Sequence, residues 1–268
     1  MSRSSEMSKC LQLYDHVLIT GASGGIGAAL AQHYAARAQR ISLWGRDLQR
    51  LESLAKICTA AGAETDIVVV DLSNMHESLE AFSRAEAQAP IDLLFLNAGV
   101  SDMRQPGRVV ETPDILLETA LVNYAVPTGL ASVAAELMVK RRRGHIVFTG
   151  SVAAWHDLPF SAAYCASKAG IERFAGALRA AVTPYNVNVT LVSFGFIDTR
   201  MSRRINGFKP FLAKPEKAVS VINKALKQRR GHVTFPKIFN LLRMIEAVTP
   251  RNLAHMLLRS IRVSQGPR

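Results

Sequence analysis

The sequence has little cysteine and lacks long apolar runs. Three cysteines occur among its 268 residues, Cys10, Cys58 and Cys165, and their spacing is not that of a metal site. Reduced thiols in a cytosolic protein are the simplest interpretation, and no metal is expected. No stretch approaches the roughly 18 uncharged apolar residues of a membrane-spanning helix. The polar segment 1–12 lacks the apolar core and the cleavage site of a signal peptide.

Acidic residues are scarce relative to basic ones. The chain has 33 Lys and Arg against 21 Asp and Glu, a formal net charge of +12. Such a balance favours nucleic acids, anionic lipids or anionic substrates as partners, without determining a fold. Arginines cluster at 141–143 and at 200–204, where a solvated surface also explains them. Because no nucleic-acid-binding motif and no interleaved aromatic residues accompany these charges, no nucleic acid is expected as a partner.

Apolar runs alternate with segments of helical periodicity along most of the chain. The runs predict strands near 15–20, 41–44, 67–70, 93–96, 145–149, 187–194 and 232–235. Helices are predicted over 26–38, 48–61, 79–89, 113–140, 162–181 and 215–228. Strands that are apolar throughout and alternate with helices predict one Rossmann-like, doubly wound α/β domain with a parallel sheet of about seven strands.

Three parts of the chain are distinguished by this pattern: an N-terminal extension (1–14), the α/β domain (15–236) and a basic C-terminal tail (237–268). In the tail, apolar residues alternate with Lys and Arg, Glu246 is the only acid, and Pro250 divides two helical segments. Basic amphipathic helices of this kind lie on anionic membrane surfaces. They also cover apolar patches on their own domain or on a neighbouring subunit, and both alternatives are kept.

A glycine-rich turn follows the first predicted strand. Segment 20–27 reads TGASGGIG, and a predicted helix begins within it. Glycines permit a tight turn and a close approach of backbone to a pyrophosphate, while the helix N-terminus offers free N–H groups and a positive dipole end. The turn therefore predicts a dinucleotide site, formed by Gly21, Ser23, Gly25, Ile26 and Gly27.

Two proton-carrying side chains share a face of a later helix. Tyr164 and Lys168 are four residues apart, so they lie on the same side. A phenol has a pKa of about 10, and a nearby ammonium lowers it, which lets a tyrosine exchange a proton closer to neutral pH. Ser151, at a strand end, can donate a hydrogen bond to an oxygen that gains negative charge. Serine hydrolysis is not indicated, because segment 149–153 lacks the second glycine of a nucleophile elbow.

These motifs together resemble the short-chain dehydrogenase/reductase family. The spacing TGxxxGxG differs from GxGxxG and is similar to that family's turn, and segment 97–99 matches its Asn-Ala-Gly motif. The family's Ser…YxxxK constellation is matched by Ser151, Tyr164 and Lys168. Asn123 matches the asparagine of the family's long central helix. The resemblance covers about 15–235.

The resemblance implies an oxidoreductase that interconverts a ketone and an alcohol with a nicotinamide cofactor. Tyr164 would be the general acid/base, and Asn123 would organise a water relay behind Lys168. Further cofactor contacts are implied at Asp71, Leu72, Asn97, Ala98, Gly99, Ile197 and Thr199, although Asp71 also suits a turn. Two departures are a leucine, Leu96, before the Asn-Ala-Gly motif and the absence of proline before Gly195.

The second strand indicates which nicotinamide is used. An acidic residue at its end would bind the ribose hydroxyls of NAD, but Gly45 stands there and Arg46 follows. A guanidinium suits a 2′-phosphate, so the resemblance favours NADP(H) over NAD(H). Arg46 is also consistent with a plain surface arginine.

The sequence gives fewer indications of the substrate and of the oligomeric state than of the cofactor. Loop 196–214 carries Phe196, Ile205, Phe208 and Phe211, which favour a hydrophobic ketone or pack the loop on its own domain. The resemblance implies a homodimer or homotetramer built on helices near 113–140 and 160–181, where alanine-rich stretches would permit close contact. A cytoplasmic location is expected, peripheral at the inner face of a membrane if the tail binds lipid. The alternative functions are a catalytically silent dinucleotide-binding regulator and a basic nucleic-acid-binding protein.

Overall fold

The computed structural model describes residues 13–105, 107–260 and 263–266, so Cys10 and the tail residues Ile261 and Arg262 lie outside the described residues. The main sheet consists of β1 (Tyr14–Thr20), β2 (Ala38–Gly45), β3 (Glu64–Val69), β4 (Leu93–Leu96), β5 (Gly144–Ser151), β6 (Val187–Phe194) and β8 (His232–Phe235). Its spatial order is β3-β2-β1-β4-β5-β6-β8, with every neighbouring pair parallel. The predicted doubly wound parallel sheet is confirmed.

The helices cover both faces of this sheet. They are α1 (Gly25–Ala35), α2 (Leu48–Ala60), α3 (Met75–Gln88), α4 (Pro113–Ala120), α5 (Val126–Lys140), α6 (Ala162–Val182), α7 (Arg200–Arg203), α8 (Pro215–Lys227), α9 (Ile238–Val248) and α10 (Arg251–Ser260). Helices α1, α2 and α8 supply one buried apolar layer, and α3, α5 and α6 supply the other. A parallel sheet buried on both faces explains why its strands are apolar throughout.

Side-chain caps set several helix starts. Thr112 and Asp47 cap α4 and α2, accepting hydrogen bonds from the amides of Ile115 and Arg50. Helix α3 begins earlier than predicted because Asn74 caps it, accepting from the amide of Glu77. Within 75–78 only Met75 is apolar, so hydrophobic periodicity did not indicate this first turn of the helix.

The predicted helix over 113–140 is interrupted by one π-helical turn, Leu121–Ala125. Proline lacks an N–H and clashes with the preceding turn of an α-helix, and Pro127 stands just after this wider turn. Contrary to the sequence-based expectation, the run 113–140 is long and apolar enough to cross a membrane. More than half of its most apolar window is buried inside the fold, as for a core helix.

The alanines of the two stretches expected to permit subunit contact differ in burial. Ala131, Ala134, Ala135 and Ala175 lie in the apolar layer between helices and sheet, where small side chains let α5 and α6 approach the sheet. Ala177, Ala180 and Ala181 are exposed on α6, so a subunit contact there stays a prediction. Leu96, in place of the family's asparagine, joins the same layer, which confirms that this departure affects strand packing.

Ion pairs account for most of the first arginine cluster. Arg141 binds Glu86, and Arg143 lies 3.0 Å from Asp92. In the second cluster Arg203 and Arg204 pair with Asp198 and Asp102. Ion pairing within the chain therefore gives these four arginines a structural role.

The two described cysteines are buried and form no disulfide. Burial raises the pKa of Cys58 and of Cys165 to about 11. A thiol with so high a pKa is poorly ionised near neutral pH and weakly nucleophilic. Cys165 is therefore a poor nucleophile beside Tyr164.

Candidate active site

Hydrogen bonds join the carboxyl ends of β1 and β4, at the point where the strand order reverses. The Thr20 hydroxyl accepts from the amides of Asn97, at 3.0 Å, and Ala98, at 3.2 Å. The Asn97 side chain donates to the Thr20 carbonyl and accepts from the Thr149 hydroxyl on β5. In open α/β sheets ligands bind in the crevice at this switch point. Segment 97–99 therefore lies at this switch point, as expected, and its hydrogen bonds connect the ends of β1, β4 and β5.

The glycine-rich turn lies against this junction. Gly21 has φ +67°, a left-handed conformation that favours glycine, and a Cβ there would lie 2.8 Å from the Ala98 Cα. A Cβ on Gly27 would lie 2.2 Å from the Gly21 carbonyl oxygen. Both positions require glycine, so the spacing of the motif follows from the tightness of the turn.

The start of α1 offers backbone donors at the crevice. Gly24 caps the helix without a side-chain hydrogen bond, so no side-chain oxygen occupies the N-terminal amides. A Cβ on Gly25 would lie 2.7 Å from the Thr199 Cγ2, which shows how closely the segment after β6 approaches. The side chain of Thr199 thus flanks the turn from the β6 side, and Ile197, two residues earlier, is buried in the apolar layer.

The residues present fit a dinucleotide. The turn provides a glycine-lined cradle, and the uncapped helix N-terminus provides donors and a positive dipole end for a pyrophosphate. Ser23 and Ile26 lie half-buried in the same turn. These residues would hold the pyrophosphate, while Thr199 and the Ile197 backbone would hold the nicotinamide carboxamide.

The end of β2 carries the two residues on which the predicted cofactor preference depends, Gly45 and Arg46. Gly45 is buried, and a Cβ there would lie 3.0 Å from the Ser23 hydroxyl oxygen. Arg46 is exposed, and its Nη1 lies 3.8 Å from a carboxylate oxygen of Glu118 on α4. The sequence did not indicate Glu118, because its partner is distant along the chain.

Asp71 and Leu72 follow β3 with different surroundings. The Asp71 carboxylate accepts from the amide of Ser73 at 2.9 Å, which is the turn role kept as an alternative above. Asp71 is exposed, whereas Leu72 is buried in the apolar layer near β4. The turn contact accounts for Asp71 by itself, so its role toward a cofactor stays a prediction.

Ser151, Tyr164 and Lys168 come together from β5 and α6. The Ser151 side chain is hydrogen-bonded to Tyr164. Lys168 is buried, and its ammonium donates to the Thr149 carbonyl at 2.9 Å, with Nζ 5.8 Å from the Tyr164 ring centroid. A hydroxyl, a phenol and an amine are therefore grouped beside the crevice, as the spacing predicted.

The pKa values differ from the simple expectation. Burial raises the pKa of Tyr164, and the Ser151 hydrogen bond only partly lowers it. Burial lowers the pKa of Lys168 to about 8, because a charged ammonium is poorly solvated there. The expected lowering of the phenol pKa by the lysine is therefore wrong for the chain alone. Burial thus shifts both groups toward their neutral forms in the chain alone.

Asn123 lies in the π-helical turn and is almost fully buried. Its side chain accepts from the Val100 amide and donates to the Val100 carbonyl, both at 2.8 Å. It also donates to the Ser167 hydroxyl at 3.2 Å, and its oxygen stands beside Gly99 near Lys168. π-Turns inside α-helices are frequent at functional sites. This turn places Asn123 between the Asn-Ala-Gly motif and the catalytic helix.

The far end of the chain contributes contacts that the sequence did not indicate. Strands β7 (Ile205–Asn206) and β9 (Ser264–Gln265) pair antiparallel. The Gln265 side chain accepts from the Met103 amide and donates to the Ser101 carbonyl. The loop after segment 97–99 is thereby joined to the loop after β6. These residues lack any motif, and only the fold brings them together.

The sequence profile described as "short chain dehydrogenase" matches residues 15–209. This match spans strands β1 to β6, the glycine turn and the Ser–Tyr–Lys group. The chain therefore belongs to the short-chain dehydrogenase/reductase family. It is an NAD(P)-dependent oxidoreductase, as the family assignment and the site geometry both indicate.

Individual proteins and a solved structure are also similar to this chain. An "Uncharacterized oxidoreductase" of Myxococcus xanthus is 33% identical over 230 residues, covering 83% of this chain and 88% of that protein. "Dehydrogenase/reductase SDR family member 7B" of Bos taurus is 34% identical, covering 69% of this chain but 59% of that protein. The structure "Short-chain dehydrogenase from Sphingobium yanoikuyae in complex with NADPH" matches with TM-score 0.77 and 25% identity over 92% of this chain and 96% of that one.

The glycine turn yields a first prediction. In Gly27→Ala the new methyl would lie 2.2 Å from the Gly21 carbonyl oxygen, so the turn must shift away from the position that holds a pyrophosphate. We expect nicotinamide-cofactor affinity to fall at least tenfold, a loss of roughly 1.4 kcal/mol or more. Isothermal titration with NADPH and with NADH measures this loss.

Gly176→Ala is the matched control. Gly176 is exposed on α6, and a Cβ there meets nothing within 4 Å. Alanine in a helix interior is favoured over glycine by about 1 kcal/mol, so this variant should bind the cofactor normally and unfold at higher denaturant. Unchanged cofactor affinity in Gly27→Ala would contradict the assigned role of the turn.

Proposed function

We propose that the protein is an NADP(H)-dependent carbonyl reductase and alcohol dehydrogenase acting on a hydrophobic ketone or secondary alcohol. The observation that carries this proposal is the grouping of Ser151, Tyr164, Lys168 and Asn123 beside the crevice at the strand ends. The hydroxyl–phenol hydrogen bond and the buried amine are what a reversible proton transfer at a carbonyl oxygen requires.

The proton chemistry follows from these contacts. When bound, a reduced nicotinamide supplies the hydride that the carbonyl carbon accepts. As the C=O π bond breaks, the oxygen gains negative charge, which the Ser151 hydroxyl stabilises by donating a hydrogen bond. Tyr164 gives its phenolic proton to that oxygen, and the raised pKa keeps the phenol protonated for this role. The alcohol oxidation reverses these transfers.

Lys168 and Asn123 would restore the tyrosine proton. The pKa of Lys168, about 8, allows its ammonium to release a proton near physiological pH. A cationic oxidised nicotinamide would lower the phenol pKa and so assist the reverse reaction. Asn123 is held rigidly by Val100, which suits a positioning role in a relay behind the lysine.

NADP(H) is proposed over NAD(H) from the end of β2. No acidic side chain stands at Gly45, and the exposed guanidinium of Arg46, now beside Glu118, would suit a 2′-phosphate. The bound NADPH of the Sphingobium relative supports this preference. The apolar side chains of loop 196–214 support a hydrophobic substrate.

Exposed apolar side chains support a proposal for the oligomeric state. Leu116, Leu117, Tyr124 and Val133 expose apolar side chains along α4, the π-turn and α5. A homodimer or homotetramer contacting through these helices would cover them. We place the enzyme in the cytoplasm, peripheral at the inner face of a membrane, with 1–14, 15–236 and 237–268 as extension, catalytic domain and tail.

The proton-transfer role is tested by Tyr164→Phe. The ring remains and the transferable proton is removed, so cofactor affinity should persist while turnover of a reducible ketone falls roughly 10²–10⁴-fold. Steady-state NADPH oxidation and cofactor titration measure the two effects. Tyr185→Phe, at an exposed tyrosine beyond α6, is the control and should keep wild-type turnover. Near-normal turnover in Tyr164→Phe would remove the proposed mechanism.

The cofactor preference is tested by Arg46→Ala. The variant loses a charge-assisted contact to the 2′-phosphate, so NADPH affinity should fall on the order of tenfold while NADH affinity changes little. Arg50→Ala, which removes a nearby arginine paired with Asp47, should affect both cofactors alike. Equal wild-type affinity for NADPH and NADH would show that Arg46 is only a surface arginine.

A further inference from the structure

The polar side of α9 faces the domain. Arg243 lies 3.2 Å from Glu172 on α6, and its guanidinium stands 4.7 Å from the Trp155 ring centroid. Glu246 is hydrogen-bonded to His156 in the loop after β5. Through these contacts the charged side chains of α9 hold the helix close to β5, the strand that ends at Ser151.

Helix α10 is attached in the same way. His255 lies 3.1 Å from Asp157, one residue beyond the histidine that holds α9. The exposed residues of α10 on its other side include Leu253 and Met256. Both helices are therefore attached to the domain through polar contacts that converge on the loop after β5.

The apolar side of the two helices faces outward. In α9, Leu241 and Ile245 are each 52% exposed and Val248 is 83% exposed. A helix on the surface of a globular protein normally turns its apolar stripe to the core, and here that arrangement is inverted. Contiguous exposed apolar surface marks a site of interaction with a protein or a membrane.

Helix α9 also contacts the substrate loop through its domain-facing side. Phe239, the buried aromatic residue of α9, contacts Phe211 with ring centroids 6.1 Å apart, and its ring closely approaches Gly195. Phe208 in the same loop is 89% exposed. Exposed apolar side chains therefore occur both on the tail helices and on the loop that borders the catalytic site, and Phe239 connects these two elements.

Positive charge surrounds the apolar surface. Lys237, Arg251 and Arg259 are exposed on the tail, and Arg200 and Lys214 are exposed on the substrate loop. The only acid of the tail, Glu246, is engaged with His156. A second copy of the chain would bring like charges together, whereas an anionic lipid surface complements both the cations and the apolar side chains.

We propose that α9, α10 and loop 196–214 form one membrane-docking surface for anionic lipid, and that the ketone is a lipophilic molecule taken from that membrane. The substrate part rests on the proposed function. Docking by this surface places the substrate loop at the bilayer, so a membrane-dissolved ketone reaches the catalytic groups without crossing water.

Vesicle sedimentation tests the docking. The full chain should sediment with phosphatidylglycerol-containing vesicles at low salt, less at high salt, and little with pure phosphatidylcholine. The double variant Leu241→Gln, Ile245→Gln should bind at least roughly tenfold more weakly, since two side chains no longer gain by burial in the bilayer. The double variant Leu48→Gln, Ile57→Gln, at similarly exposed positions on α2, should bind like wild type.

Two outcomes overturn the docking surface. One is failure of the wild-type chain to sediment with anionic vesicles at low salt. The other is equal vesicle binding by the two double variants. If light scattering instead shows that the α9 variant breaks up an oligomer without changing lipid binding, the surface is a subunit contact and the proposal is wrong.

Activity measurements separate the substrate inference from the proposed function. With NADPH, wild type and the α9 double variant should reduce a water-soluble ketone at equal rates. A long-chain ketone dissolved in anionic vesicles should be reduced at least several-fold faster by wild type. Equal rates for the vesicle-borne ketone overturn the lipophilic-substrate inference, whereas absence of turnover with every ketone overturns the proposed function regardless of vesicle binding.

Discussion

The site depends on the hydrogen bonds that hold the carboxyl ends of β1, β4 and β5 together. Thr20, Asn97 and Thr149 form this junction, and the glycine turn closes tightly against Ala98. Because the sheet is parallel, loops at this edge carry the functional groups while the strands remain a buried scaffold. The Thr149 carbonyl in turn positions Lys168, so the cofactor cradle and the catalytic helix share one support.

A second constraint is the burial of the proposed catalytic groups. Burial raises the pKa of Tyr164 and lowers that of Lys168, which shifts both groups toward their neutral forms in the chain alone. Perturbed groups in a cleft are typical of functional sites. The π-helical turn Leu121–Ala125 contains the buried Asn123, whose side chain accepts a hydrogen bond from the Val100 amide.

Much of this was predictable because the information is local. Continuous apolar runs indicate buried parallel strands, a tight turn demands glycine at 21 and 27, and helical spacing puts Tyr164 and Lys168 on one side. Contacts that depend on tertiary packing were not predictable. Glu118 beside Arg46, Gln265 on the loop after β4 and Glu246 on His156 join residues far apart in the chain. The outward apolar side of α9 was also hidden, because periodicity shows that a helix is amphipathic without showing which side meets the domain.

The central claim is that this site transfers hydride to a carbonyl carbon while Tyr164 protonates the oxygen. The most direct measurement uses NADPH deuterated at the transferable position with a panel of hydrophobic ketones, followed by mass spectrometry of the alcohols. The account predicts one deuterium on the carbinol carbon of an alcohol formed in step with NADPH consumption. Tight cofactor binding with no deuterium transferred to any ketone would contradict it and indicate a catalytically silent dinucleotide-binding protein.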